Sequence, residues 1–219
     1  MEQALTELLQ EWGIEKATIA ALYGELDLNF KVTANSGEFV LKLFHPDRDD
    51  RLLSAQDDLL EYLASKNTGF ETPVPLRDIH GDLERKVTYR GISYKARLLH
   101  WIPGKLWSEL GQVDTVLVRS LGRRNGQLAS SLSGYNDPRF QRELNWIPSN
   151  PGWIAQHIPS FDNRKKSILK RTLEVHQDVF EHHNAGLRKS LVYMDANDNN
   201  ILVRQADVGF PGRSRDNSR

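Results

Sequence analysis

The chain has 219 residues, of which 39% are hydrophobic and 26% charged, as in an ordinary globular protein. Its 29 basic and 29 acidic residues balance, so charge alone indicates neither a nucleic-acid nor a membrane partner. The sequence contains no cysteine, which excludes disulfides and cysteine chemistry. It has no basic and apolar leader and no run long enough to span a bilayer, so we expect a cytoplasmic protein.

The N-terminal segment predicts a helix followed by a β-hairpin. Apolar side chains recur at helical spacing from Glu2 to Trp12, and Gly13 ends the helix. A turn at Asn35–Gly37 precedes the strand Phe39–Phe44. Lys42 interrupts this otherwise apolar strand. If buried, its ammonium group needs a counter-charge, for which nucleotide phosphate is a candidate; at a sheet edge it needs only water.

The middle of the chain predicts a helix and a second hairpin. Leucines at helical spacing mark a helix from Arg51 to Lys66. Two strands, Val87–Tyr89 and Ser93–Leu99, flank a turn at Arg90-Gly91. The second strand continues into the segment Leu98–Gly104, which a Pro-Gly turn ends.

Beyond this turn the chain is predominantly helical. Apolar residues at helical spacing predict helices at Val113–Ser133 and Asn163–His182. The irregular segment between them contains Trp146 and Trp153. We expect these large side chains to lie in a core rather than to form a substrate platform.

The segment Leu191–Val203 places a polar loop between two short apolar runs. Asp195 and Asn200 stand five residues apart, as do the Asp and Asn of the protein-kinase catalytic loop. A calcium loop would need Gly and Glu where this chain has Asn200 and Ala206. An Asn-rich turn without chemistry is the remaining alternative.

Taken in order, these motifs resemble the aminoglycoside phosphotransferase family, and in particular its hydroxylysine kinase-like members. The catalytic loop of those members has the pattern His-Asn-Asp-Ala-Asn-Asp followed by Asn and aliphatic residues, close to the sequence around Asp195. The resemblance implies an α+β, two-lobed, protein-kinase-like fold. Its predicted parts are an antiparallel-sheet N-lobe at 1–102, an incomplete helical C-lobe at 103–210 with the catalytic loop at 191–203, and an unstructured tail at 211–219.

The resemblance also implies roles for individual residues. Asp195 would take the proton of the acceptor hydroxyl, Asn200 would bind Mg²⁺, and Lys42 would hold the phosphates of ATP. In the family a helix Glu pairs with this lysine; here the position falls on Gln56, which cannot neutralise an ammonium group unless Asp57 takes the role. The other predicted nucleotide-binding residues are Glu25, Asp27 and Asn29 in the phosphate-covering loop, and Leu99, His100 and Trp101 at the hinge between the lobes.

The chain departs from the family pattern in ways that bear on activity. Tyr193 replaces the His that braces the catalytic loop, and Met194 fills the small or polar position after it. Val208–Phe210 begin the strand that normally carries the main magnesium ligand, but Pro211-Gly212 stands where that Asp is expected. The family's later helices would also be missing, so we expect apolar helix faces to be exposed.

The sequence thus predicts an ATP- and Mg²⁺-dependent O-phosphotransferase of a small-molecule hydroxyl, with hydroxylysine-like amino alcohols as the first acceptor class and aminoglycosides as the second. Truncation before the metal-binding Asp argues against activity of this chain. The competing hypothesis is a non-catalytic, nucleotide-binding, pseudokinase-like fragment or an interaction module. We expect neither a nucleic-acid nor a membrane partner, and the sequence defines no oligomeric state.

Overall fold

The computed structural model of the chain describes residues 2–66, 68–142, 151–204 and 207–209. These residues form two compact units, one within Met1–Tyr135 and Leu191–Arg219 and the other within Asn136–Ser190. The first unit contains the predicted nucleotide-binding residues and the predicted catalytic loop. The site can therefore be described within one unit.

The first unit is built on a five-stranded antiparallel sheet with strand order β1-β2-β3-β5-β4. Both predicted hairpins are confirmed, and Arg90 and Gly91 take positive φ values of 52° and 78° in the turn between β4 and β5. The strands are β1 Ala17–Leu22, β2 Leu28–Ala34, β3 Gly37–Phe44, β4 Arg85–Tyr89 and β5 Ile92–His100.

Helix α1 (Glu2–Gln10) covers one face of this sheet. Its leucines are buried against alternate residues of β3 and β5, because successive strand residues point to opposite faces. Gly13 follows the helix with a φ of 70°, a conformation that glycine adopts without strain, so the predicted helix end is confirmed. The cluster includes Leu5, Leu8, Leu9, Phe39, Leu41, Leu43 and Leu98.

Helix α2 (Asp50–Ser65) packs against the opposite face of the sheet. This face carries Lys42 of β3 and its cross-strand partner Arg97 of β5. The Arg97 guanidinium donates a hydrogen bond to the backbone carbonyl of Leu53 in α2, at 3.0 Å. One face of the sheet is therefore an apolar core closed by α1, whereas the other carries charged side chains beside α2.

Helix α3 (Thr115–Leu132) and a small antiparallel sheet complete the first unit. Leu128 and Leu132 of α3 pack with Leu63 of α2. Because of this packing, the compact unit extends past the lobe boundary that we predicted after residue 102. The small sheet has the order β6-β7-β8; its strands are β6 Lys105–Leu106, β7 Leu202–Arg204 and β8 Asp207–Gly209.

The second unit contains helix α4 (Asn163–His183), preceded by 3₁₀ turns at Pro138–Phe140 and Pro151–Ser160. No residue described in α4 is buried, as expected for an exposed apolar face. The same expectation for Val113–Ser133 holds only in part, because Leu128 and Leu132 of α3 are buried. The predicted core position of Trp153 is wrong, since its side chain is 40% exposed and packs edge-on against His157 of the same segment. Trp146 and the tail 211–219 lie outside the described residues.

Across the described part of the chain, no helix has both the length and the apolar composition needed to cross a membrane.

Candidate active site

The loop between β1 and β2 is closed by its own side chains. The Asn29 amide donates hydrogen bonds to the carbonyls of Tyr23 and Asp27, at 3.3 and 3.4 Å. Gly24 has no room for a side chain, because a Cβ there would collide with the Asp27 carbonyl and the Asn29 amide. Glu25 is exposed, whereas Asp27 is buried. Of the three predicted loop residues, Asn29 shapes the loop and Asp27 faces inward.

Asp27 is the counter-charge of Lys42. The Lys42 Nζ lies 3.1 Å from the Asp27 Oδ2. The same carboxylate accepts hydrogen bonds from the Nε and Nη2 of Arg48, at 3.2 and 3.1 Å, and from the backbone N–H of His45 at 3.0 Å. Burial alone would raise the pKa of Asp27, but the bonds from Arg48 and His45 and the charge of Lys42 hold that pKa below its ordinary value.

The carboxylate of helix α2 pairs with Arg97 and not with Lys42. The Asp57 Oδ1 lies 2.6 Å from the Arg97 Nε, and both side chains are buried. Burial, reinforced by the nearby charge of Glu84, raises the pKa of Asp57 to about 6, although Arg97 opposes this shift. The alternative in which Asp57 pairs with Lys42 is therefore wrong, because Asp57 forms its ion pair with Arg97, the cross-strand neighbour of Lys42. Among the described residues, the Gln56 side chain has no hydrogen-bond partner.

Asp195 and Asn200 meet across the predicted catalytic loop. The Asn200 amide nitrogen donates to the backbone carbonyl of Asp195 at 3.0 Å and to its carboxylate Oδ2 at 2.7 Å. Asn197, which the sequence analysis did not assign to the site, donates to the other carboxylate oxygen at 2.6 Å. Its position two residues after Asp195 was the only signal in the sequence. The two amides fix the orientation of the carboxylate and leave the Asn200 Oδ1 as an acceptor.

The catalytic loop is anchored by the chain segment that follows the Pro-Gly turn. The backbone N–H of Trp107 donates to the carbonyl of Ile201 at 2.9 Å, and that of Ser108 to the carbonyl of Asp198 at 3.0 Å. Ile201 is buried, and its cluster includes Trp107. The antiparallel pairing of β6 with β7, through two residue pairs, extends this contact. The loop is therefore held by backbone hydrogen bonds on one side and by apolar packing beneath it.

Tyr193 lies two residues before Asp195, at the position where the resemblance predicted a His. Burial raises the pKa of the Tyr193 hydroxyl to about 12, and the negative charge of Asp195 adds to the shift. The hydroxyl is consequently protonated at neutral pH, although 44% of the residue is exposed. Tyr193 can supply a hydrogen bond but, unlike His, it does not change charge near pH 7.

The predicted hinge residues lie at the end of β5, and some of their polar groups are already paired. The backbone N–H of His100 donates to the carbonyl of Val74 at 3.1 Å, and that of Trp101 to the carbonyl of Glu38 at 3.0 Å. These two amides are therefore committed within the protein.

An apolar patch lies between the hinge and Lys42. Leu99 and Val40 are cross-strand partners and point to the same face of the sheet as Lys42 and Arg97. Both are only half-buried. A flat apolar group placed on this patch would lie about 6.6 Å along the strand from Lys42, since two strand residues span that distance.

The donor atoms of the catalytic loop suit a hard cation. Among the described residues, no three His, Cys, Asp or Glu side chains are close enough to hold a metal ion. Mg²⁺, however, commonly takes one or two protein oxygens and completes its shell with phosphate oxygens and water. The Asn200 Oδ1 fits this requirement, since it is the amide nitrogen of that side chain that is bound to Asp195.

Comparison with known proteins decides the family. A sequence model of the phosphotransferase enzyme family, APH, matches residues 20–212. The chain belongs to this family. Bovine (Bos taurus) hydroxylysine kinase is 23% identical over 223 residues, an alignment that covers 91% of this chain and 57% of that protein.

Two solved structures of kinases have the same fold. An amicoumacin kinase in complex with AMP-PNP and Ca²⁺ has a TM-score of 0.64 and 16% identity, and the alignment covers 95% of this chain and 62% of that one. A microcompartment-associated aminopropanol kinase has a TM-score of 0.68 and 14% identity, with coverage of 96% and 68%. The predicted α+β, kinase-like fold and APH membership are confirmed. The chain spans little more than half the length of the bovine relative.

Proposed function

We propose that the protein transfers the γ-phosphoryl group of ATP to a hydroxyl group of a small, amino-bearing metabolite. The observation that carries this proposal is the arrangement of Asp195, whose carboxylate oxygens are held by the amides of Asn197 and Asn200. A carboxylate held in one orientation in an exposed loop can accept the proton of an acceptor hydroxyl and direct its oxygen towards a phosphorus atom.

The nucleotide would lie across the charged face of the large sheet. The Val40–Leu99 patch suits an adenine ring, with the hinge from Leu99 to Trp101 supplying polar groups at its edge. Lys42, held by Asp27, would contact the phosphates. Glu25 is exposed, and the Gln56 side chain has no hydrogen-bond partner among the described residues. Neither observation supports the nucleotide-binding role that the resemblance implied.

Magnesium fits the oxygen donors of the catalytic loop. When bound, Mg²⁺ neutralises the negative charge of the transferring phosphoryl group. Asn200 would hold the ion through Oδ1, because its Nδ2 is committed to Asp195. Asp195 would remain oriented towards the acceptor.

The choice of an amino alcohol as acceptor rests on relatives. Two similar proteins are named as kinases of hydroxylysine and of aminopropanol. Both compounds carry an amine and a hydroxyl group. We therefore place amino alcohols before the bulkier aminoglycosides as the acceptor class.

A transfer assay tests this proposal. ADP release is measured with a panel of amino alcohols, including hydroxylysine, and of aminoglycosides. Asp195→Asn should lower the rate by about 10²- to 10⁴-fold, the usual contribution of a positioned acid–base group. Asp198→Asn, an exposed change in the same loop, is the matched control and should leave the rate unchanged.

One observation favours a second function, non-catalytic nucleotide binding. Pro211-Gly212 stands where the family carries its main magnesium-binding Asp. Under this alternative ATP binds and Lys42→Met weakens it, yet no acceptor is phosphorylated. Activity in wild type that Asp195→Asn removes would eliminate the alternative.

A further inference from the structure

Asp27 brings two positive side chains together. The Lys42 Nζ and the Arg48 Nη2 each lie 3.1 Å from the same oxygen, Asp27 Oδ2, so they are neighbours across one atom. The Asp27 side chain is 7% exposed, whereas those of Lys42 and Arg48 are 30% and 37% exposed. A dissolved anion can therefore reach the two cations more easily than it meets the carboxylate.

The charges of this cluster do not cancel. Two cations share one carboxylate, which leaves an excess of positive charge. Arg48 uses only its Nε and Nη2 edge on Asp27, so the Nη1 group and the outer N–H of Nη2 can still donate. A guanidinium edge of this kind matches the oxygens of a phosphate.

The position of Arg48 along the sheet suits a phosphate chain. The hinge and the Val40–Leu99 patch lie towards one end of the charged face, followed by Lys42 two residues further along β3. Arg48 lies beyond Lys42, in the connection between β3 and α2. A nucleotide whose base covers the patch would extend its phosphates past Lys42 towards Arg48.

We propose that Arg48 is a second phosphate-binding side chain, and that Asp27 is a positioning residue that holds Arg48 and Lys42 side by side. This inference rests on the proposed function, because it concerns the phosphates of the same nucleotide. Asp27 takes the place of the helix carboxylate that was expected to pair with Lys42, because Asp57 of α2 is paired with Arg97.

The test compares three ligands, namely ATP, adenosine and inorganic tripolyphosphate, by calorimetry. Arg48→Met should weaken ATP and tripolyphosphate by about 10- to 100-fold, as expected for losing a hydrogen bond to a charged group, and leave adenosine unchanged. Arg51→Met is the matched control, because Arg51 is exposed, lies three residues away and carries the same charge. Adenosine binding separates loss of a phosphate contact from general damage to the site.

Asp27→Asn gives the test of positioning. The variant makes the cluster more positive, so simple attraction would tighten tripolyphosphate binding, whereas loss of the shared anchor predicts weaker binding. Tighter binding would overturn the positioning role. If this variant does not fold, Asp27→Glu takes its place, because it keeps the charge but moves the carboxylate, and unchanged tripolyphosphate affinity would then overturn the positioning role.

The two proposals fail in different ways. Equal tripolyphosphate affinity of Arg48→Met and Arg51→Met, or no tripolyphosphate binding by the wild type, would overturn the Arg48 site. If tripolyphosphate binding depends on Arg48 but ATP binds no more tightly than tripolyphosphate, the phosphate site stands and the nucleotide function is refuted.

Discussion

The buried Asp57–Arg97 pair makes the stability of the first unit depend on pH. The pKa of Asp57 is raised from 3.8 to about 6, so the folded chain binds this proton more tightly than the unfolded chain does. The resulting stabilisation is complete below pH 3.8 and is lost as pH rises through 6. The full shift corresponds to about 3 kcal/mol, of which about 1.4 kcal/mol is lost between pH 5 and 7.5.

Asp57→Asn removes this titration while keeping a side chain of similar size. Between pH 5 and 7.5, the wild-type free energy of unfolding should fall by about 1.4 kcal/mol more than that of the variant. Urea denaturation at pH 5, 6 and 7.5 measures the difference. Asp58→Asn, at the exposed neighbouring position, controls for the other titrating groups and should follow the wild type. Parallel pH profiles for wild type and Asp57→Asn would refute the reasoning.

Three further substitutions test other parts of the structure. Gly24→Ala should weaken ATP binding about 10-fold or more, because the alanine Cβ would collide with the loop. Gly111→Ala, in open space, is the control and should bind ATP as the wild type does. Equal affinities of the two variants by calorimetry would refute this reasoning. Gly122→Ala, in an open position of α3, should raise the free energy of unfolding by about 0.5–1 kcal/mol in urea, and a decrease would contradict the open environment. Ile201→Ala should lower that free energy by about 2–5 kcal/mol, and a loss below about 1 kcal/mol would show that the loop is not anchored there.

The order of helices and strands could be predicted because each has a local cause. Helical spacing marked α1 to α4, and glycine-containing turns marked both hairpins. The contact between Asp195 and Asn200 also has a local cause, since both belong to one short loop, whereas their catalytic roles stay predictions.

The partners of Lys42 and Asp57 could not be predicted, because they depend on tertiary register. Arg97 lies beside Lys42 only through the pairing of β3 with β5, which are distant in the sequence. In that register Asp57 of α2 forms its ion pair with Arg97. The ion-pair partner of Lys42 is instead Asp27, in the loop between β1 and β2. The hydrogen bonds of the His100 and Trp101 amides could not be predicted for the same reason, since their acceptors, Val74 and Glu38, lie in remote segments of the sequence.

If Lys42 and its partners form a nucleotide site, as we propose, the protein binds ATP, and binding with and without Mg²⁺ is the measurement to make. Calorimetry would compare the wild type with Lys42→Met, and with Lys16→Met as a control at an exposed lysine. We expect Mg²⁺ to strengthen ATP binding and Lys42→Met to weaken it by about 10-fold or more, while Lys16→Met binds as the wild type does. Equal binding by all three proteins, or none by folded wild type, would contradict it.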